Sequence, residues 1–317
     1  MLSRIINKTD IGKAASIIEP YVNNTPVLTS STFNRRFDSE LYFKCENFQK
    51  AGAFKSRGAV HAVFRLSEEE GQKGVCTHSS GNHAQALARA ARIVGIPAYI
   101  VMPDNSPIVK IKAVEGYGGK ITFCKPNLQA REDTLRKVKE QTGATEIHPY
   151  DNYDIITGQA TAALELLEEV PDLDLILCPV GGGGLLAGTA LAAHYFGAEK
   201  LKVIACEPAG ADDAYRSFRK GEIIPSVNPQ TLADGLLTSL GERNFPIIRK
   251  YVADIVTVSE QAIIEAMKLI FERMKIVIEP SSAVPLATVL ENKADIAGKK
   301  TGIIISGGNV DLKKLPF

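Results

Sequence analysis

The stretch Leu173-Asp-Leu-Ile-Leu-Cys-Pro-Val-Gly-Gly-Gly-Gly-Leu-Leu-Ala-Gly188 passes from a short apolar run, through four successive glycines, into a helical pattern. Residues Leu173 to Pro179 have the length and composition of a buried strand, and Leu185 to His194 recur at helical spacing. A buried strand that feeds a helix at a tight corner is the repeating unit of a parallel sheet with crossover helices. The same alternation extends in both directions from this corner.

Upstream, Val75-Cys-Thr77 leads to a helix over Ala84 to Val94, Ala98 to Met102 to one over Val109 to Gly116, and Ile121 to Cys124 to one over Arg131 to Gln141, with Glu146-Ile-His148 closing the series. Downstream, Val203 to Cys206, Ile255 to Val258 and Thr301 to Ser306 read as strands, with helices over Glu260 to Met274 and Ser281 to Leu290. The first forty residues hold one helix, about Asp10 to Ile18, and an extended Pro26-Val-Leu-Thr; Leu41 to Glu46 reads as a strand. Glu68-Glu-Glu-Gly-Gln-Lys-Gly74 reads as a polar linker, and Gly221 to Asn244 is the least patterned region. The expected fold class is therefore α/β with two parallel-sheet, three-layer units. Residues 1–67 and 152–317 are assigned to a discontinuous large domain and 74–148 to a small one.

At 317 residues the chain is long enough for two domains, and a net charge of +1 with a pI near 7.6 argues against nucleic-acid or membrane-surface partners. The N-terminus lacks a signal-peptide pattern, and no apolar run reaches membrane-spanning length. The five cysteines each fall within an apolar run and form no CxxC pair, which suits reduced structural thiols in a cytoplasmic protein. The histidines show no metal-ligand spacing such as HExxH.

Three further corners gather polar chemistry. In Asn47-Phe-Gln-Lys-Ala-Gly-Ala-Phe-Lys-Ser-Arg-Gly58, Lys55 sits at a helix start, where unpaired amides and the helix dipole disfavour an ammonium. A neutral lysine is a nucleophile that forms Schiff bases; the plain alternative is a solvated lysine. Thr77-His-Ser-Ser-Gly-Asn-His-Ala-Gln85 gathers hydroxyls, an amide and an imidazole suited to a small carboxylate, or a simple helix cap. Ile305-Ser-Gly-Gly-Asn-Val310 ends the last strand. The four glycines cost much backbone entropy and let amides approach an anion, so a phosphate is expected there. Gly182, Gly184 and Ala187 also fit a G-x-G-x-x-A dinucleotide pattern with Glu207 after the next strand, which alone would suit a nicotinamide enzyme equally well.

Together, Asn47 to Gly58, Ser79 to Gln85, Gly181 to Gly184 and Ser306 to Asn309 resemble the four signature segments of the fold-type II (tryptophan-synthase-β-like) pyridoxal phosphate enzymes, in the serine racemase and serine/threonine dehydratase branch. The resemblance implies that the cofactor lies in the cleft between the two domains, with Lys55 bonded to it and Phe54 beside its ring. It gives Asn82 to the ring hydroxyl, Gly181, Gly182, Gly183, Gly184 and Leu185 to the phosphate, and Ser306 to the pyridine nitrogen. Ser79, Ser80, Asn82 and His83, with Arg131, are implied for the substrate. Ser80 stands where many threonine dehydratases carry alanine; in serine racemase that serine exchanges the α proton on the face opposite the lysine.

The implied function is therefore serine racemisation with dehydration of L-serine and L-threonine. The alternatives are a threonine/serine or 3-hydroxyaspartate dehydratase without a racemase role, and a non-catalytic protein that senses an amino acid or nucleotide. The matching loop in serine racemase binds a divalent cation, which implies Glu207, the Ala211 carbonyl and Asp213 as ligands for Mg2+ or Ca2+. The branch further implies a homodimer and ATP as an effector. With the chain ending at Phe317, no isoleucine-binding regulatory domain is expected. Glu279 matches a family glutamate near the ring, although a helix or turn role explains it as well.

Overall fold

A computed structural model describes residues 5–79, 81–106 and 108–317, with Val109 described by its backbone alone. The proposed proton-exchanging Ser80 lies outside the described residues.

The chain begins with helix α1 (Lys8–Ile18), strand β1 (Val27–Thr29), α2 (Ser31–Phe37), β2 (Glu40–Cys45), α3 (Lys55–Phe64) and α4 (Glu68–Lys73). Next come β3 (Val75–His78), α5 (Asn82–Val94), β4 (Ala98–Pro103), α6 (Ile108–Gly116), β5 (Lys120–Cys124), α7 (Leu128–Thr142) and β6 (Thr145–Glu146). The remainder is α8 (Tyr153–Glu169), β7 (Leu175–Pro179), α9 (Gly184–Phe196), β8 (Lys202–Pro208), α10 (Asp213–Lys220), α11 (Asn244–Tyr251), β9 (Asp254–Val258), α12 (Glu260–Met274), α13 (Pro280–Leu290) and β10 (Lys300–Ile305).

Two sheets organise these elements. One has the order β1-β2-β10-β7-β8-β9, parallel throughout except for β1 at its edge; the other, β5-β4-β3-β6, is wholly parallel. Each face of the larger sheet carries its own apolar cluster. One is built from α8, α9 and α1 around Ile156, Leu166 and Leu186; the other from α12 and α13 around Phe43, Met267 and Leu286. Sheets buried on both faces use near-continuous apolar strands, and β7 is buried along its whole length.

Two readings change. Glu68 to Gly74 is a helix rather than a linker: the Ser67 hydroxyl accepts from Glu70 N–H while the Glu70 carboxylate accepts from Ser67 N–H, and three acids occupy the first turn. Helix α8 gave no sequence signal because it is buried nearly all round, so no polar stripe marks its period.

All five cysteines lie buried and free on strands; burial pushes the thiols of Cys45, Cys76 and Cys206 up to about 12, so they are inert at neutral pH. Among the described residues no helix is long and apolar enough to cross a membrane.

Candidate active site

Lys55 is the first residue of α3, reached from β2 through a tight turn in which Ala51 and Gly52 both have positive φ, 55° and 68°. Two residues further, Arg57 is fully buried and anchors the helix. Its guanidinium donates to both oxygens of Glu46 at 2.7 and 2.8 Å and to both oxygens of Glu165 at 2.6 and 2.7 Å, while Lys44 Nζ reaches Glu165 at 2.6 Å. Two cations thus balance two carboxylates, Glu46 fully buried and Glu165 partly so, the arrangement under which buried charge is tolerated. One turn on, a Cβ on Gly158 would stand 2.6 Å from the Gly58 Cα, so both glycines are required for α3 and α8 to touch. Lys55 therefore starts from a backbone fixed on two sides.

The Lys55 ammonium donates to the Pro149 carbonyl at 2.7 Å and lies 5.1 Å from the centre of the Phe54 ring. Its pKa is lowered to about 8, first by burial, against the opposing charge of Glu279. The residue is hemmed in by protein yet keeps some exposure, so it is half-buried and water tempers the shift. Enclosure, which is not legible in the sequence, is the first cause.

Glu279 emerges as the organiser of the wall beside Lys55. It precedes α13 without capping it, and both its oxygens accept from Asn82 Nδ2, at 2.9 and 3.0 Å. Asn82 Oδ1 accepts from Asn309 Nδ2 at 2.9 Å. Burial raises the Glu279 carboxyl to about 7. Ser306, on the floor, exchanges a 3.0 Å hydrogen bond with Ser282, and its carbonyl accepts from Phe54 N–H at 3.0 Å. The two ends of the chain thus meet at this floor: Ala53 bridges to Gly307.

The four glycines prove to have separate structural reasons. A Cβ on Gly181 would meet the Leu236 backbone at 2.8 Å; one on Gly182 would meet the Tyr150 ring at 2.3 Å; Gly183 has φ +91°; and Gly184 faces Tyr150 at 3.0 Å. No side chain caps the start of α9. Its first amides remain free to receive an anion, so the loop still suits a phosphate. An amine able to lose its proton near neutral pH, an uncapped helix start, a neutral hydroxyl on the floor and an amide in the wall together fit pyridoxal phosphate.

The substrate candidates lie around α5 and β3. Ser79 N–H donates to the Val101 carbonyl at 3.1 Å and its hydroxyl accepts from Gly81 N–H at 3.3 Å; α5 has no side-chain cap, so this corner is not a simple capping motif. His83 is buried with Nε2 2.9 Å from the Ile147 carbonyl. Arg131, in the first turn of α7, has a buried Nε without a hydrogen-bond partner, and its charge helps burial to lower the pKa of His78. Pro149, Tyr150 and Ser282 were not singled out from sequence; a backbone carbonyl acceptor and a ring against a glycine leave no one-dimensional signal.

At the β8–α10 corner, Glu207 rather than an aspartate caps the helix: its two oxygens accept from Ala214 and Tyr215 N–H, both at 2.8 Å. Burial raises its carboxyl to about 9 and that of Asp213 to about 6. Asp213 is 1% exposed; the Ser226 side chain lies close enough to oppose the effect of burial, yet neither carboxylate oxygen has a partner at hydrogen-bond geometry. Among the described residues no three His, Cys, Asp or Glu side chains cluster as a ready metal site.

Residues 18–307 match the model of the family described as "Pyridoxal-phosphate dependent enzyme". The chain is 52% identical over 312 residues to the serine racemase of Dictyostelium discoideum, covering 96% of this chain and 95% of that one. It is 49% identical over 308 residues to the beta-hydroxyaspartate dehydratase of Paracoccus denitrificans (strain Pd 1222), covering 97% and 98%. The crystal structure of the Dictyostelium discoideum enzyme superimposes with a TM-score of 0.92 over 97% of this chain and 99% of that one. The chain belongs to the pyridoxal-phosphate dependent enzyme family.

Proposed function

We propose that this protein is a pyridoxal phosphate-dependent serine racemase that also dehydrates L-serine and L-threonine to the keto acid, the water lost from the β carbon being taken up again as the resulting imine is hydrolysed to release ammonia. The observation that carries the reading is Lys55: an enclosed amine with a pKa lowered to about 8, within reach of the charge of Glu279, in a chain that also leaves the start of α9 uncapped. When bound, the cofactor supplies a carbonyl for the substrate amine and a sink for the electron pair left at the α carbon. Lys55 Nζ takes the α proton on one face, and Ser80 Oγ returns one on the other. Gly181, Gly182, Gly183, Gly184 and Leu185 would hold the phosphate and Asn82 the ring hydroxyl, Phe54 would pack beside the ring, and Ser306 would face the ring nitrogen without a charge. Ser79, Asn82 and the amides that open α5 hold the substrate carboxylate.

The same proposal includes a cleft between residues 1–67 with 152–317 and residues 74–148, a cytoplasmic homodimer and an ATP effector. It also includes a divalent cation held by Glu207, Asp213 and the Ala211 carbonyl. The unpartnered, buried Asp213 carboxylate supports the cation, which would brace the β8–α10 corner away from the chemistry.

A second reading, a 3-hydroxyaspartate dehydratase, is favoured by one observation: the buried, unpartnered Nε of Arg131 suits a second carboxylate. The test is a Ser80→Ala variant assayed for both products. Racemisation should vanish, since a proton-transfer group is typically worth roughly 100- to 10,000-fold, while L-serine dehydration persists. Equal loss of both activities would overturn the racemase assignment. Turnover of 3-hydroxyaspartate far above serine, lost in Arg131→Gln, would establish the second reading instead.

A further inference from the structure

Asn244 opens α11 and is fully buried against the glycine loop. Its Nδ2 donates to the Gly182 carbonyl at 2.7 Å and to the Tyr150 carbonyl at 3.2 Å. Carbonyls only accept, so this end of the amide is the NH2 group and both its protons are used. The other end, Oδ1, is buried with no hydrogen-bond partner among the described residues. A buried acceptor left bare is costly, so the side chain is oriented by what its donor end holds. The Gly182 carbonyl also accepts from Gly241 N–H at 3.3 Å. In a trans peptide the carbonyl and the next amide point in opposite directions, so the Gly183 N–H is turned away from α11. Among the described residues it donates to no protein group, and neither do the other amides from Gly181 to Leu185. Glycine on both sides of this peptide leaves it without local restraint, because no Cβ limits its rotation. The restraint comes instead from a side chain 62 residues further along the chain.

We infer that Asn244 is a positioning residue for the cofactor phosphate: by holding the Gly182 carbonyl it presents the Gly183 N–H to the anion. The inference rests on the proposed cofactor and adds to the glycine loop the residue that sets its direction. An amide fixed before binding gives its full hydrogen bond to a charged group, whereas a peptide free to turn over must first be ordered. A ligand with the same ring and aldehyde but no phosphate gains nothing from this arrangement.

The test therefore compares pyridoxal phosphate with pyridoxal as ligands of the apoprotein, with both dissociation constants taken from absorbance titration. The wild-type protein should prefer the phosphate-bearing ligand. In Asn244→Leu, which keeps the branch at Cγ without a donor, that preference should fall by roughly 10- to 150-fold, the worth of a hydrogen bond to a charged group. Partial unfolding weakens both ligands by one factor and leaves their ratio unchanged, so the ratio reads the loop and not the stability of the variant. Arg243→Ala, at the same helix start, removes a side chain that reaches Asp151 and not the loop, so it should keep the wild-type ratio. A ratio unchanged in Asn244→Leu, or equal loss of both ligands, would mean that Asn244 only seats α11 and overturns the assignment. So would a ratio that falls as far in Arg243→Ala. A wild-type apoprotein that does not prefer pyridoxal phosphate to pyridoxal refutes instead the phosphate reading of the loop, and with it the proposed function.

Discussion

If Lys55 is the residue that captures the cofactor, the rate of capture must follow its neutral form. With a pKa lowered from 10.5 to about 8, the unprotonated fraction at pH 7 rises from roughly one in three thousand to about one in ten, a gain of roughly 300-fold. Because the residue keeps some exposure, about 8 is the low end of the midpoint to be expected. Mixing apoprotein with pyridoxal phosphate and following the growth of the visible absorbance should give a rate that climbs about tenfold per pH unit up to about pH 8 and then levels. Glu279 opposes the shift, and its own carboxyl is raised to about 7. It therefore becomes the anion that holds the Lys55 proton only as pH rises through about 7. Glu279→Gln should move the rise to lower pH. A rate that still climbs tenfold between about pH 9 and 10 would show an ordinary lysine and refute the reasoning.

Three other consequences can be checked. Arg57→Met strands Glu46 in a dry site with no cation bonded to it and leaves Lys44 alone on Glu165; such losses cost roughly 3–5 kcal/mol, so thermal melts of the apoprotein should fall by roughly 4–8 °C. A fall worth less than about 1 kcal/mol would mean that the network contributes little. Asp213→Asn should remove any rise in melting temperature caused by Mg2+ or Ca2+; an equal rise in the variant would take the cation away from this loop. Gly183→Ala, at φ +91°, should cost about 1–2 kcal/mol and weaken cofactor retention during gel filtration, whereas normal retention would show that the loop tolerates the strain.

Local pattern carried far in this chain. Strand and helix alternation from Val75 to Gln141 and from Leu175 to Ile305 was legible because each element keeps its own period, and the expected span of α12, Glu260 to Met274, is the one observed. The four polar corners were legible because each is a short contiguous motif. What escaped was buried nearly all round, such as α8, short and polar, such as α4, or meaningful only across distance, such as the Pro149 carbonyl that receives Lys55, 94 residues away.

The sequence by itself determined an α/β chain with a nucleophilic lysine, a glycine corner and two hydroxyl-bearing corners, since propensity, periodicity and turn chemistry act within a few residues. Tertiary structure decided how those corners meet. β2 pairs with β10 across some 260 residues and brings Phe54, the neighbour of Lys55, to Ser306; α3 and α8 touch through Gly58 and Gly158; and Glu279 turns from a helix start to Asn82. The same enclosure sets the proton affinity of Lys55, and the Asn244 amide holds the Gly182 carbonyl. Both depend on which groups exclude water and face one another in space, and that information has no counterpart along the chain.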